Sequence, residues 1–195
     1  EAFAGHPGIE SVVVVAHAAR REGYRALLAG LDKLAGVIDG GVARHDSVRN
    51  GLGFLAAQAP EFVAVHDAAR PLIGRAAITR CLAAAVETGA AACASRVTST
   101  LKRGSVDDCV AEGVDRERLW AVETPQIIRY QLLTEAYGEV ARQALAVTDE
   151  TSAVALLGAP VRLVETGSFN AKITLPGDFE VAAAVAAWRE SHDSE

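Results

Sequence analysis

The sequence has no methionine and opens Glu1-Ala2-Phe3, so we expect it to start inside a longer protein. Aromatic residues are scarce at 5%, although half the chain is hydrophobic. Any core must therefore be packed from Ala, Val and other small side chains, as in parallel sheets covered by helices. Cysteine is rare too. Cys81, Cys93 and Cys109 make an odd count without metal-ligand spacing, which argues against a disulfide framework and for reduced thiols in a cytosolic protein. Cys81 lies in an apolar helical pattern and Cys93 in an apolar strand pattern, where each would fill core space.

Positive charge is in deficit: 19 Lys and Arg against 25 Asp and Glu leave a net −6, with no block of like charges. Non-specific binding to nucleic acid or to an acidic membrane surface is disfavoured on these grounds. A phosphate-bearing small molecule stays open, because a few cations can make one positive site within an acidic protein. No apolar run approaches the roughly 18 residues of a membrane span, and no leader pattern is present. The expectation is a soluble, cytoplasmic protein. Also missing are GxSxG, HExxH, CxxC, GxxxxGK[ST] and GxGxxG, and the five histidines are scattered. A length of 195 residues suits one domain.

What is present is an alternation. Short apolar runs at residues 11–16, 37–38, 62–66, 91–97, 161–164 and 172–174 read as strands. Helical spacing covers residues 18–30, 46–58, 76–87 and 130–144, with Asp46 or Ser47 near the start of the second. A short helix opens at residues 148–151 with acids in its first turn. A final amphipathic helix starts at residues 176–178 and fades into a polar tail at 191–195. Residues 1–8 read as a helix tail closed by a turn. The pattern predicts a doubly wound, mostly parallel α/β sheet. Residues 98–118 break the rhythm, being polar with glycines at 104 and 113; a hairpin arm and a disordered insertion both fit.

The chemistry gathers where strands end. In residues 62–71, FVAVHDAARP, an apolar run stops at His66-Asp67, and Pro71 pushes Arg70 toward extended backbone. Asp67 and Arg70 thus stand at the carboxyl end of a buried strand, where open α/β sheets bind ligands. A pair that merely ties down a loop is the alternative, and His66 suits a structural hydrogen-bonding role. Gly40-Gly41 follows another strand, where glycine lets backbone amides approach a base or phosphate, or simply makes a turn. The run TSTLK at residues 98–102, Thr124-Pro125-Gln126 at an expected loop, and Lys172 in NAKIT are each weak alone.

In order and spacing, VHDAARP, RHDSVRNGL, DR-x-x-LWAVETPQ, TDE and GSFNAKIT closely resemble the 2-C-methyl-D-erythritol 4-phosphate cytidylyltransferases, over nearly the whole chain. The resemblance implies a Rossmann-like nucleotidyltransferase fold with a projecting β-hairpin arm that interlocks two subunits as a homodimer. It implies transfer of CMP from CTP to methylerythritol phosphate, with pyrophosphate released and Mg2+ or another divalent cation as cofactor. Gly41 and Ser47 would read the cytosine, and Asp67 and Ala68 would lie by the ribose and triphosphate, with Asp67 near the metal. Arg70, Thr124 and Thr148 would line the methylerythritol phosphate site, joined by Thr100 from the arm. Arg116, also on the arm, and Lys172 would hold the attacking phosphate in the catalytic role. Two positions depart from the family pattern: Ser99, where Asp is usual, and Val42, where a polar residue is common. The family's N-terminal strand and Gly-rich loop would lie upstream of Glu1, so the chain as written is expected to lack half its CTP cradle. A ribitol-5-phosphate cytidylyltransferase is the neighbouring alternative, disfavoured by Ala68-Ala69. A non-catalytic nucleotide-binding scaffold is disfavoured by Arg70, Arg116 and Lys172.

Overall fold

The structure, a computed structural model, describes residues 1–192. In chain order the elements are β1 (Val12–Ala16), α1 (Arg21–Leu27), β2 (Leu34–Asp39), α2 (Arg44–Leu55), β3 (Phe62–Val65), α3 (Arg75–Thr88) and β4 (Ala90–Arg96). They continue with β5 (Leu101–Gly104), β6 (Val110–Val114), β7 (Trp120–Arg129), α4 (Tyr130–Arg142), α5 (Glu150–Ala155), β8 (Arg162–Glu165) and α6 (Pro176–His192). Strands β3, β7, β4 and β8 form the central sheet in that order. Only β7 runs against its neighbours there. Strands β1 and β2 pair in parallel as a separate ribbon.

The period of two along β4 and β7 explains how so few large side chains make a core. Ala90 and Ile128 face α4 and α5, meeting Leu133, Ala136, Tyr137, Val140, Ala153 and Val154. Ala91, Cys93 and Ile127 face α3, meeting Ala77, Ile78, Cys81 and Ala85. Cys81 and Cys93 are buried free thiols, as expected of core fillers, and Cys109 is exposed on the arm. Helix α3 stops at Gly89, whose φ of 86° is left-handed and whose amide closes on Ala85. A side chain there would be strained.

Helix α2 spans the gap between the ribbon and the central sheet. Its Leu52 enters the α4–α5 core, and the Tyr130 hydroxyl donates to the Leu52 carbonyl. On its other side Phe54 lies over Gly36 of β2, where a Cβ would come within 2.9 Å of the ring.

Several expectations are corrected. Thr124-Pro125-Gln126 is not a loop but the middle of β7, because Gln126 pairs with Val65 on one side and Ala92 on the other, and the ladder to β4 resumes at Val122. Pro125 is tolerated there because the ladder to β4 is irregular between Ala92 and Ala94, so its missing N–H costs no regular bond. Residues 172–174 are not a strand; the Ile173 amide donates to the Ala69 carbonyl, and the Thr174 amide and hydroxyl donate to Asp178. Residues 1–8 form turns rather than a helix tail, and Gly5 and His6 donate back to Glu1 and Phe3. Residues 98–118 do form the arm, a β5–β6 hairpin turning at Ser105–Asp108. Of the expected polar tail, Ser191 and His192 belong to α6, and residues 193–195 lie outside the described residues.

Candidate active site

Strand β3 delivers Asp67 into a turn closed by the Arg70 amide on the Asp67 carbonyl. The Asp67 carboxylate sits between two cations. Oδ1 accepts from Arg44 Nε at 3.1 Å, and Oδ2 accepts from Lys172 Nζ at 2.8 Å. The two edges of the Arg44 guanidinium serve different acids, for Nη1 and Nη2 donate to Glu150 at 2.7 and 3.0 Å. Glu150 has no exposed side-chain surface, and its Oε1 also accepts from the Tyr137 hydroxyl at 3.0 Å. A chain of alternating charge therefore runs outward: Glu150, Arg44, Asp67, Lys172. Lys172 is its wet end, with 42% of its side chain exposed.

Burial alone would push the Asp67 carboxyl up, but Lys172 and Arg44 outweigh it and hold it below its ordinary value. Burial likewise favours a neutral Arg44, and Glu150 and Asp67 overcome that, raising its pKa further. Burial beside Glu150 pushes the Tyr137 phenol up, so its hydroxyl stays a donor. Glu150 is the fully buried member of this chain, so removing Arg44 would leave its charge uncompensated in the core.

Glu150 is positioned by the start of α5. Asp149 caps that helix, accepting from the Ser152 amide at 3.0 Å. Gln126, buried within β7, donates to Asp149 and accepts from the Thr151 amide. The hydroxyls of Thr151 and Ser152 also reach Asp149 and, against the cost of burial, hold its carboxyl low.

A second network fixes the Asp67 turn. The Thr124 hydroxyl accepts from the Asp67 amide at 3.0 Å and lies 3.0 Å from His66 Nδ1. His66 Nε2 lies 3.0 Å from the Arg70 carbonyl, which can only accept. The network thus assigns the proton to Nε2 and a hydroxyl donor to Nδ1. Burial lowers the His66 pKa, consistent with that neutral ring. Arg70 donates to the Asn170 carbonyl at 2.8 Å, and the Asn170 amide donates to Glu123 and the Thr124 carbonyl. This places Lys172, two residues on, beside Asp67. Among the described residues, Arg70 Nε and Asn170 Oδ1 are buried without a hydrogen-bond partner.

At the start of α2 the Gly41 amide donates to the Ser47 hydroxyl at 3.1 Å. A Cβ on Gly41 would come within 2.2 Å of the Asp46 Cβ, so only glycine fits. The structure therefore gathers Asp67, Lys172, Arg70 and Thr124, with Ala68 exposed in the turn; Ser47 shares helix α2 with Arg44, and Gly41 lies just ahead of that helix. Thr124 is brought in with its hydroxyl already engaged by the turn. Thr148 is exposed, two residues before Glu150. Thr100 and Arg116 are exposed on the arm, and the Arg116 guanidinium donates to the Thr98 carbonyl at the arm's base. Sequence reasoning did not single out Arg44, Glu150, Tyr137 or Asn170, although the first two lie within RHDSVRNGL and TDE. A groove of about 600 Å³ along β2 includes none of these residues, and its Arg21 and Arg25 already pair with Asp39 and Glu22.

Among the described residues, no three His, Cys, Asp or Glu side chains come together as a metal cage. Both Asp67 oxygens are engaged. The donor set fits a divalent cation only as one carried on phosphate oxygens and water, with Asp67 adding one ligand. Among the described residues no helix is long and apolar enough to cross a membrane.

Known proteins resemble this chain in sequence and in fold. Residues 1–187 match the family model described as IspD: 2-C-methyl-D-erythritol 4-phosphate cytidylyltransferase. The protein of that name from Pelotomaculum thermopropionicum is 38% identical over 190 residues, 96% of this chain and 79% of the relative. That from Geobacillus kaustophilus is 40% identical, covering 91% of this chain and 78% of the relative. The crystal structure of the Francisella tularensis 2-C-methyl-D-erythritol 4-phosphate cytidylyltransferase superposes with a TM-score of 0.80 at 29% identity, covering 93% of this chain and 82% of that one.

Proposed function

The chain belongs to the 2-C-methyl-D-erythritol 4-phosphate cytidylyltransferase family, and on that premise we propose that it transfers CMP from CTP to 2-C-methyl-D-erythritol 4-phosphate and releases pyrophosphate. The observation that carries the assignment to this site is the 2.8 Å bond from Lys172 to Asp67, which joins residues 105 positions apart at a strand end.

The reaction brings a phosphate monoester against a triphosphate, so two polyanions must be held within attacking distance. A phosphate oxygen of the polyol attacks the α-phosphorus in line, the bond to the bridging oxygen breaks, and pyrophosphate leaves with its electron pair. No covalent enzyme intermediate is needed; the protein supplies positioning and charge neutralisation. Lys172 is a cation able to do this, since its side chain is half exposed and can exchange Asp67 for a phosphate oxygen. Arg44 is not free, because two carboxylates hold it. Gly41 and Ser47 take the cytosine side, Asp67 and Ala68 the ribose and triphosphate side. Arg70 takes the polyol phosphate side with Thr148, and Thr124 sets the turn between the two. The unpartnered Arg70 Nε supports a polar ligand there. Arg116 and Thr100 act from the arm on the site of a second subunit in a homodimer. A magnesium ion held through Asp67 would neutralise triphosphate charge when bound. The setting is the cytoplasm.

We expect pyrophosphate release with methylerythritol phosphate and not with ribitol 5-phosphate. We also expect Lys172→Ala to lower turnover by about 10²–10³, the scale for losing one transition-state charge donor, without loss of folding. A near-normal rate for that variant would remove Lys172 from the mechanism.

A further inference from the structure

The Arg44–Glu150 pair raises a question that the transfer reaction leaves open. A guanidinium near a triphosphate is a natural phosphate clamp, since its fork matches phosphate oxygens in pairs. Here that fork is occupied from behind. Nη1 and Nη2 grip the two oxygens of Glu150, and Nε faces Asp67 Oδ1. Glu150 itself cannot shift. It is fully buried, its helix start is capped by Asp149, Gln126 holds the Thr151 amide, and Tyr137 donates to Oε1.

One rigid plane therefore links a carboxylate anchored in the core to a carboxylate at the reaction site. When Lys172 leaves Asp67 Oδ2 for phosphate, Arg44 is what remains on Asp67. We propose that Glu150, seconded by Tyr137, is a positioning residue for nucleotide transfer: it holds the Arg44 guanidinium and through Arg44 fixes Asp67. The alternative is that Glu150 only ties α5 to α2 and contributes to stability.

Glutamine at position 150 keeps the volume of glutamate but sets an NH2 donor against a guanidinium donor, so the two-pronged grip is lost. Removing the Tyr137 hydroxyl loosens the same carboxylate more gently. The inference rests on the cytidylyl-transfer reading and on Asp67 serving the nucleotide side. The test is steady-state pyrophosphate release by the intact enzyme with CTP and methylerythritol phosphate, alongside thermal melts. Glu150→Gln should lower kcat/KM for CTP by about 10- to 100-fold, the scale of a displaced catalytic constellation, while KM for the polyol phosphate stays within about twofold. Tyr137→Phe should move the same parameter in the same direction by less. In an Asp67→Asn background either change should add little, because its effect passes through Asp67.

Equal losses for both substrates, full additivity with Asp67→Asn, or unchanged kcat/KM in both variants would overturn the proposal. If Glu150→Gln does not fold, Tyr137→Phe alone and with Asp67→Asn makes the same comparison. A wild-type enzyme that releases pyrophosphate with neither polyol phosphate would refute the transfer reading itself, an outcome distinct from an active enzyme indifferent to Glu150.

Discussion

Burial keeps His66 less basic than a free imidazole, and its two hydrogen bonds explain why the neutral ring suits the turn after β3. The Thr124 hydroxyl donates to Nδ1 and Nε2–H donates to the Arg70 carbonyl, so a second proton would face a donor. The linkage follows from the direction of the shift. The folded pKa lies below the ordinary 6.5, so the unfolded chain binds more protons between the two values. The stability His66 contributes is thus complete above about 6.5 and lost as pH falls through the folded pKa. Urea midpoints should decline as pH drops from 7 to 5, and His66→Gln should flatten that decline. Equal slopes in both proteins would show that His66 is not the group responsible. Asp67 and Asp149 act in a lower window, since their depressed values add stability that is complete above the ordinary carboxylate range. His66 was legible in sequence as a strand-end hydrogen-bonder, and Asp67 and Lys172 through their motifs. Arg44 and Glu150 were not, because an ion pair 106 residues apart leaves no local spacing to read.

Among the elements, the helix starts carry the site. Helix α2 begins where Gly40 and Gly41 crowd its first turn, and the Asp46 carboxylate accepts from the Ala43 amide to close it. Because a Cβ on Gly41 would sit 2.2 Å from that of Asp46, Gly41→Ala must displace the first turn that carries Arg44 and Ser47. We predict loss of CTP binding by calorimetry and about 1–3 kcal/mol of destabilisation, the usual range for overpacking. Undiminished CTP affinity would mean that the first turn of α2 is not part of the nucleotide site. Helices α2 to α4 were readable from apolar spacing and end signals. Strand β7 was not, because its middle reads Glu-Thr-Pro-Gln, and only the ladders on either side of that stretch make it one strand. The segment at residues 172–174 misled in the opposite way. Its alternation looks like a strand, yet the Ile173 amide bonds to the Asp67 turn rather than to a neighbouring strand, which serves to place Lys172.

For the whole molecule, the consequential feature is that the arm stands apart from the body. Strands β5 and β6 pair with each other, and among the described residues neither is hydrogen-bonded into the central sheet. Val106 and Val110 are exposed on it. An isolated two-stranded hairpin is marginal in water, so a second surface must hold it in register, and the homodimer proposed above would supply one. The fold class was legible because strand and helix alternate. The arm's shape was less so, because polar residues with two glycines suit disorder equally well. Since the core lies on the two faces of β4 and β7, replacing residues 100–116 with a short Gly-Ser link should leave the body's melting temperature within a few degrees. It should also halve the mass measured by light scattering and abolish pyrophosphate release. Arg116→Ala, which keeps the arm, should cost activity at unchanged mass. A trimmed protein that stays dimeric and active would place both the interface and the completing cation elsewhere.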